Sequence, residues 1–266
     1  DKPGTYIVAA KAPNGCVSRD TVIVAQDIVA PDVATVGNTI TCTNPDVQIT
    51  ATSQAAGASY VWNGPGSFQS DLPNPTVSKE GTYTIVVTGA NACTSTATAI
   101  VDLDTDKPIL SNQTPEILTC ARQSIVIETS VSAQTSPISN LAWSGPSSFM
   151  NATEDPSVTE PGDYTLVATS ENGCTQALIV KVEQDVAQPE VAADGGTLTC
   201  SITEIALKGT SSTPGVVYEW TGPNQELFNT ANPLVSATGV WTLKVTGPNG
   251  CSKTATATVD DDVVAP

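Results

Sequence analysis

Seven cysteines and twenty-seven acidic residues carry almost all the chemistry open to this chain, which has no histidine. Without histidine the commonest general base and metal ligand is missing. A cysteine nucleophile would also lack its usual activating partner. The cysteines do not form the closely spaced Cys-x-x-Cys pairs that thiolate metal sites use. Spaced at matching places in small β-rich units, they point instead to disulfides and an oxidising compartment. No Gly-x-Ser-x-Gly elbow, phosphate loop or dinucleotide fingerprint is present. Paired carboxylates can hydrolyse glycosides. However, the acids here recur at fixed positions, whereas an active site is usually built once. The expectation is a chain with no catalytic residues.

The recurring acids have one other chemical use. Asp102, Asp104 and Asp106 lie on alternate residues, and Asp260, Asp261 and Asp262 are consecutive. Asp27 with Asp32, and Glu183 with Asp185, mark two further positions of the same kind. Calcium takes six to eight hard oxygens, and alternate residues of a strand face one side. Asp27, Asp102, Asp104, Asp106, Asp185, Asp260 and Asp262 are therefore candidate calcium ligands. Against this, no Asp-x-Asp-x-Asp-Gly loop with a closing Glu occurs. The alternative is that these acids cap turns and keep sheet edges in water.

The elements that position these residues repeat. Gly, one residue, an aromatic, then Cys ten residues later occurs at Gly4/Tyr6/Cys16, Gly81/Tyr83/Cys93, Gly162/Tyr164/Cys174 and Gly239/Trp241/Cys251. Cys followed after 20 to 23 residues by Trp-x-Gly-Pro occurs at Cys42/Trp62, Cys120/Trp143 and Cys200/Trp220. A period near 80 residues means a tandem array of small domains. Units of that size bury modest cores and gain from disulfides.

Thr82–Thr88 and Thr94–Val101 are rich in β-branched residues and partly alternate, as half-buried strands do. The turn between them predicts a hairpin, and Asn14-Gly15, Asn172-Gly173 and Asn249-Gly250 predict equivalent ones. No helical period persists over ten residues. Eleven residues after each hairpin Cys stands an Asp, and four later a Pro: Asp27/Pro31, Asp104/Pro108, Asp185/Pro189 and Asp262/Pro266. These pairs predict repeats at 31–107, 108–188 and 189–266, with 1–30 as the C-terminal hairpin of an earlier repeat. A lone hairpin is marginal in water, so its other half is expected elsewhere, in a longer protein.

Short strands, a Trp about twenty residues after a Cys, and an aromatic early in a late strand are ingredients of an immunoglobulin-like sandwich. Trp62, Trp143 and Trp220 are expected in the core rather than exposed for sugar stacking. Phe68, Phe149 and Phe228 are expected to close the same cores. In antibody-type domains the second Cys follows the Tyr by two residues. Here it follows by ten, so the usual inter-sheet bridge is not expected.

Thr-Ile-Thr-Cys or Leu-Thr-Cys, then Trp-x-Gly-Pro, then Gly-Thr-Tyr-Thr-Ile-Val-Val-Thr-x-x-Asn-x-Cys-Thr resembles the PKD-like and Ig-like repeats of Bacteroidota cell-surface adhesins. SprB-type gliding adhesins are similar. The resemblance covers the whole chain and implies export, disulfide-closed sandwiches in long arrays, and often calcium between them. The expected fold is all-β, with tandem Ig-like repeats end to end as a rod. Repeat logic favours Cys42–Cys93, Cys120–Cys174 and Cys200–Cys251, with Cys16 bonded to a Cys outside the chain. A rival scheme crosses the joints: Cys16–Cys42, Cys93–Cys120 and Cys174–Cys200. The choice turns on which pole of the unit each Cys faces.

The net charge of −17 disfavours nucleic acid and anionic membrane surfaces as partners. No run of 18 apolar residues is present. There is no signal peptide either, so a secreted chain would carry one upstream. The expected role is a structural stalk segment of an extracellular, cell-surface adhesin or filament. Its partners would be further repeats of the same polypeptide, extracellular polysaccharide or surface proteins. The alternatives are a glycan- or protein-binding array, or spacer modules of a secreted polysaccharide hydrolase. Asn112, Asn151 and the triplet Asp20-Thr21-Val22 match short glycosylation patterns, which are weak at this length.

Overall fold

A computed structural model describes residues 2–262; Pro266, the last of the recurring prolines, lies outside them. The described residues are almost entirely strand and turn, with two short 3-10 turns and no α-helix. The chain divides into two compact units. The first holds residues up to Asp106 together with Glu171–Cys174, and the second holds the remainder.

In the first unit, β-branched residues at alternate positions of Gly81–Thr88 place Tyr83, Ile85 and Val87 on one fully buried face. This strand runs antiparallel to Thr94–Asp104 on one side and to Ser59–Gly64 on the other. Phe68–Ser70 closes one edge of the sheet and Asn38–Thr41 the other. Asn38–Thr41 pairs parallel to the end of the long strand, with Asp104 opposite Thr41. Two short strand pairs, Ala34–Val36 with Thr50–Thr52 and Val47–Gln48 with Thr76–Val77, supply the second layer. Trp62, Ile49 and Val101 fill the space between the layers.

The same unit contains the hairpin Gly4–Lys11/Val17–Val24, in which Gly4 opposes Val24 and Lys11 opposes Val17. Every residue of its two strands is exposed.

The second unit repeats the sandwich twice. One core gathers Leu118, Ile127, Trp143, Tyr164, Leu166 and Val180. The other gathers Leu198, Leu207, Trp220, Trp241, Leu243 and Val259. Trp143 and Trp220 sit opposite Leu166 and Leu243, as Trp62 sits opposite Ile85. In each core the Trp ring N–H donates to a backbone carbonyl: Pro73, Thr153 or Ala231. A buried indole thus keeps its one polar atom satisfied. The expectation of core tryptophans therefore holds.

The late aromatic closes each core in the same way. Tyr83 and Tyr164 donate their hydroxyls to the carbonyls of Lys79 and Glu160, four residues upstream. Trp241 does so through its ring N–H to Ala237. This is the tyrosine-corner arrangement. It also accounts for the Gly of Trp-x-Gly-Pro. A Cβ on Gly64 would stand 2.3 Å from the Tyr83 ring, and one on Gly222 would stand 2.6 Å from the Trp241 ring. Phe68, Phe149 and Phe228 pack on these aromatics at centroid distances of 5.3, 5.1 and 5.9 Å.

Candidate functional site: the hairpin-tip lock

The residues with chemistry meet at the hairpin tips. Each tip is the same turn. In the fourth hairpin Gly250 N–H donates to Gly247, Gly247 N–H donates to Cys251, and Cys251 N–H donates to the Asn249 side-chain oxygen. Gly89, Asn91, Ala92 and Cys93 repeat the pattern, as do Ala12, Asn14, Gly15 and Cys16. The Asn side-chain oxygen is therefore committed locally, and its amide group is left to reach elsewhere.

In two of the tips that amide finds the recurring Asp. Asn172 Nδ2 donates to Asp104 Oδ1 at 2.8 Å and to the Asp106 carbonyl at 3.0 Å. Asn249 Nδ2 donates to Asp185 Oδ1 at 3.0 Å and to the Ala187 carbonyl at 2.9 Å. Asn91 Nδ2 donates to the Val29 carbonyl at 2.9 Å, while Asp27 Oδ1 accepts from the Val29 N–H. Asn172 is buried, so its four hydrogen-bonding sites are worth satisfying inside the protein.

Beside each of the last two tips a disulfide forms. Cys42 bonds Cys174, and Cys120 bonds Cys251, with Cα separations of 5.1 and 4.9 Å. Cys174 and Cys251 are buried, whereas Cys42 and Cys120 are exposed. The tip must come close: a Cβ on Gly173 would stand 2.1 Å from Thr43, and one on Gly250 2.5 Å from Ala121. Both glycines have φ of +77°. Ala121 N–H also donates to the Asn249 carbonyl.

These bonds overturn both expected pairing schemes. Cys42–Cys93, Cys120–Cys174 and Cys200–Cys251 do not form, and neither do Cys16–Cys42, Cys93–Cys120 or Cys174–Cys200. The reason is the parallel pairing of the short Thr-Cys strand. Thr41 lies opposite Asp104, so Cys42 follows the end of a strand whose beginning adjoins Cys93. An eleven-residue strand is about 35 Å long, and a disulfide tolerates at most about 7 Å between Cα atoms. Thr119 opposite Asp185 and Thr199 opposite Asp262 place Cys120 and Cys200 in the same way. Cys42 and Cys120 therefore lie at the pole where the following hairpin tip arrives. Cys16, Cys93 and Cys200 are unbonded.

The candidate calcium ligands come to different ends. Asp104 and Asp185 are Asn acceptors, Asp106 contributes its backbone carbonyl, and Asp27 caps its own turn. Asp102 opposes Thr39, Asp260 opposes Thr197, and Asp262 opposes Thr199, each on the exposed side of its strand or at its end. Among the described residues no three Asp, Glu, Cys or His side chains gather into a cation-sized group. Of these acids, the side chains of Asp104 and Asp185 accept from a tip Asn and that of Asp27 accepts within its own turn. Asp32, although exposed, accepts from the Gln54 N–H and the Ser53 hydroxyl, which holds its carboxyl below the ordinary value.

No described helix is long and apolar enough to cross a membrane. No family model matches the chain, and no curated protein matches it. Among solved structures it is similar to one from a study of host cell surface retention of a 1.5-MDa bacterial ice-binding adhesin. That match has a TM-score of 0.52 and 10% identity, over 89% of this chain and 100% of that one. Sidekick-1 immunoglobulin domains match with a TM-score of 0.37 and 15% identity, over 98% of this chain and 67% of that one. A tandem from titin matches with a TM-score of 0.34 and 14% identity, over 88% of this chain and 100% of that one. Three tryptophan-centred sandwiches with aromatic corners, together with the likeness at a TM-score of 0.52, make the fold an all-β tandem of Ig-like repeats.

Proposed function

We propose that this chain is a spacer segment of an exported cell-surface adhesin, similar in kind to the repeat regions of Bacteroidota gliding adhesins. Its repeats, bounded near 31, 108 and 189, hold a binding region away from the cell. The supporting observation is where the covalent chemistry is placed. Both disulfides join the Thr-Cys of one sequence repeat to the hairpin tip of the next, beside an Asn–Asp clamp. Disulfides also fit an oxidising, extracellular setting. In this reading the chain resists extension and has no catalytic step.

Stretching the chain from its two ends tests this directly. The bonds Cys42–Cys174 and Cys120–Cys251 interleave along the sequence. The shortest covalent route through them allows about 390 Å, whereas a reduced chain reaches about 930 Å. Oxidised chains stopping near the shorter limit and reduced chains near the longer one support the proposal. Oxidised chains that extend fully would overturn it.

A further inference from the structure

Two observations bear on the unbonded cysteines. The first is the ladder itself. Two Thr-Cys residues take the hairpin Cys of the next repeat, at separations of 132 and 131 residues. Cys93 stands in a third tip of the same turn, with Ala92 in place of the glycine, and its Asn91 already clamps the carbonyl of Val29, just past the hairpin Gly4–Val24. What Cys93 lacks is a Thr-Cys belonging to the same repeat as that hairpin.

The second observation is the hairpin's own surface. It has the register of Gly81–Val101 and keeps its aromatic corner, with the Tyr6 hydroxyl donating to the Lys2 carbonyl at 2.7 Å. Yet Tyr6 and Val22 are 47% and 60% exposed, whereas their counterparts Tyr83 and Ala99 are 1% and 2% exposed. In all three sandwiches that face is covered by the short strands of the second layer. The Trp-bearing strand pairs along the edge of the hairpin's first strand, and the Thr-Cys strand runs parallel to the end of its second. All of these belong to the front half of the repeat.

We infer that the exposed face of hairpin Gly4–Val24 is a docking surface for the Trp-bearing front half of a repeat of this same kind. The Thr-Cys of that half closes a disulfide with Cys93. This deepens the spacer reading and rests on it. The bond requires an external disulfide oxidant. The Cys93 thiolate attacks it to give a mixed disulfide, the incoming thiolate displaces the remainder, and the oxidant leaves as two thiols. One feature of the tip sharpens the expectation. Ala92 holds φ of +65° and carries a Cβ where Gly173 and Gly250 carry none. The incoming residue after the Cys must therefore stand slightly away.

The test extends the full chain by placing a copy of its own residues 108–161 directly before Gly4, with and without Ala92→Gly. Both chains are refolded in a mixture of reduced and oxidised glutathione. The unextended chain is mapped first for Cys42–Cys174 and Cys120–Cys251; their absence would sink the spacer reading and this inference together. With those bonds present, the expected result is a peptide joining the copied Cys120 to Cys93. Alkylation of Cys93 should slow by about tenfold or more, and more completely with Ala92→Gly. If Cys93 stays as reactive as before in both chains, or the copied Cys joins Cys16, the inference is wrong and the spacer reading stands.

Discussion

Two hairpins of one design, Gly4–Val24 and Gly81–Val101, differ in almost nothing local. They share residue pattern, register, turn and aromatic corner. One is exposed along its whole length, and the other buries the face that carries Tyr83, Ile85 and Val87. Strand pairing and turn geometry are thus properties of the hairpin's own residues, while burial comes from the front half of the repeat, whose second layer packs on the hairpin's face. Most of the stability of these modules should reside in that second relationship, since apolar burial dominates folding.

The largest break in the comparison is at the tips. Cys174→Ser or Cys251→Ser should each cost about 5 kcal/mol in the chain-entropy account of a loop of some 130 residues. Cys93→Ser in the same chain should cost nearly nothing, and denaturant titration under non-oxidising and oxidising conditions will separate the three. Next come the corner aromatics. Tyr83→Ala removes a fully buried ring and should cost about 3–5 kcal/mol, whereas Tyr6→Ala should stay within about 0.5 kcal/mol. Equal losses in thermal melts would mean that the first hairpin is covered in solution.

A smaller effect is expected from the clamp. Asn172→Ala removes a buried side chain that donates to both Asp104 and Asp106, and should cost about 1–3 kcal/mol. Asn91→Ala, whose amide reaches one backbone carbonyl and no carboxylate, should cost less. Hydrogen exchange at the Cys174 and Cys93 amides reports the two separately.

The smallest effect is alkaline. Burial pushes the Tyr83 and Tyr164 phenols above their ordinary value near 10. The folded state thus favours the neutral phenol. That contribution is complete below pH 10 and is lost as pH rises through the raised values. Trp241 occupies the same corner and does not ionise. Amide exchange should therefore accelerate above pH 10 around Tyr83 and Tyr164 before it does around Trp241.

Much of this was legible in the residues. Alternation marked the long strands, and recurrence marked Trp62, Trp143 and Trp220 as core. Asn-Gly marked the tips. The pole occupied by each Thr-Cys was not legible, because it depends on the parallel pairing of a four-residue strand, Asn38–Thr41, too short to show a period. That single unknown decided both wrong pairing schemes. The side-chain role of the tip Asn was also missed. Its signal lay in Asn91-Ala92, where the Asn is kept although the Gly is not. The recurrence of the Asp is legible in the sequence and leaves a cation ligand or a turn cap open; at Asp104 and Asp185 the partner is that same Asn, some 64 to 68 residues further on.

The overlap of the two disulfides along the chain has a consequence for wear. Had each bond closed within its own repeat, one protease cut between repeats would have released everything beyond it. With Cys42 tied to Cys174 and Cys120 to Cys251, any single backbone cut between Cys42 and Cys251 leaves both fragments covalently joined. The chain can be nicked once anywhere in that span and still not part.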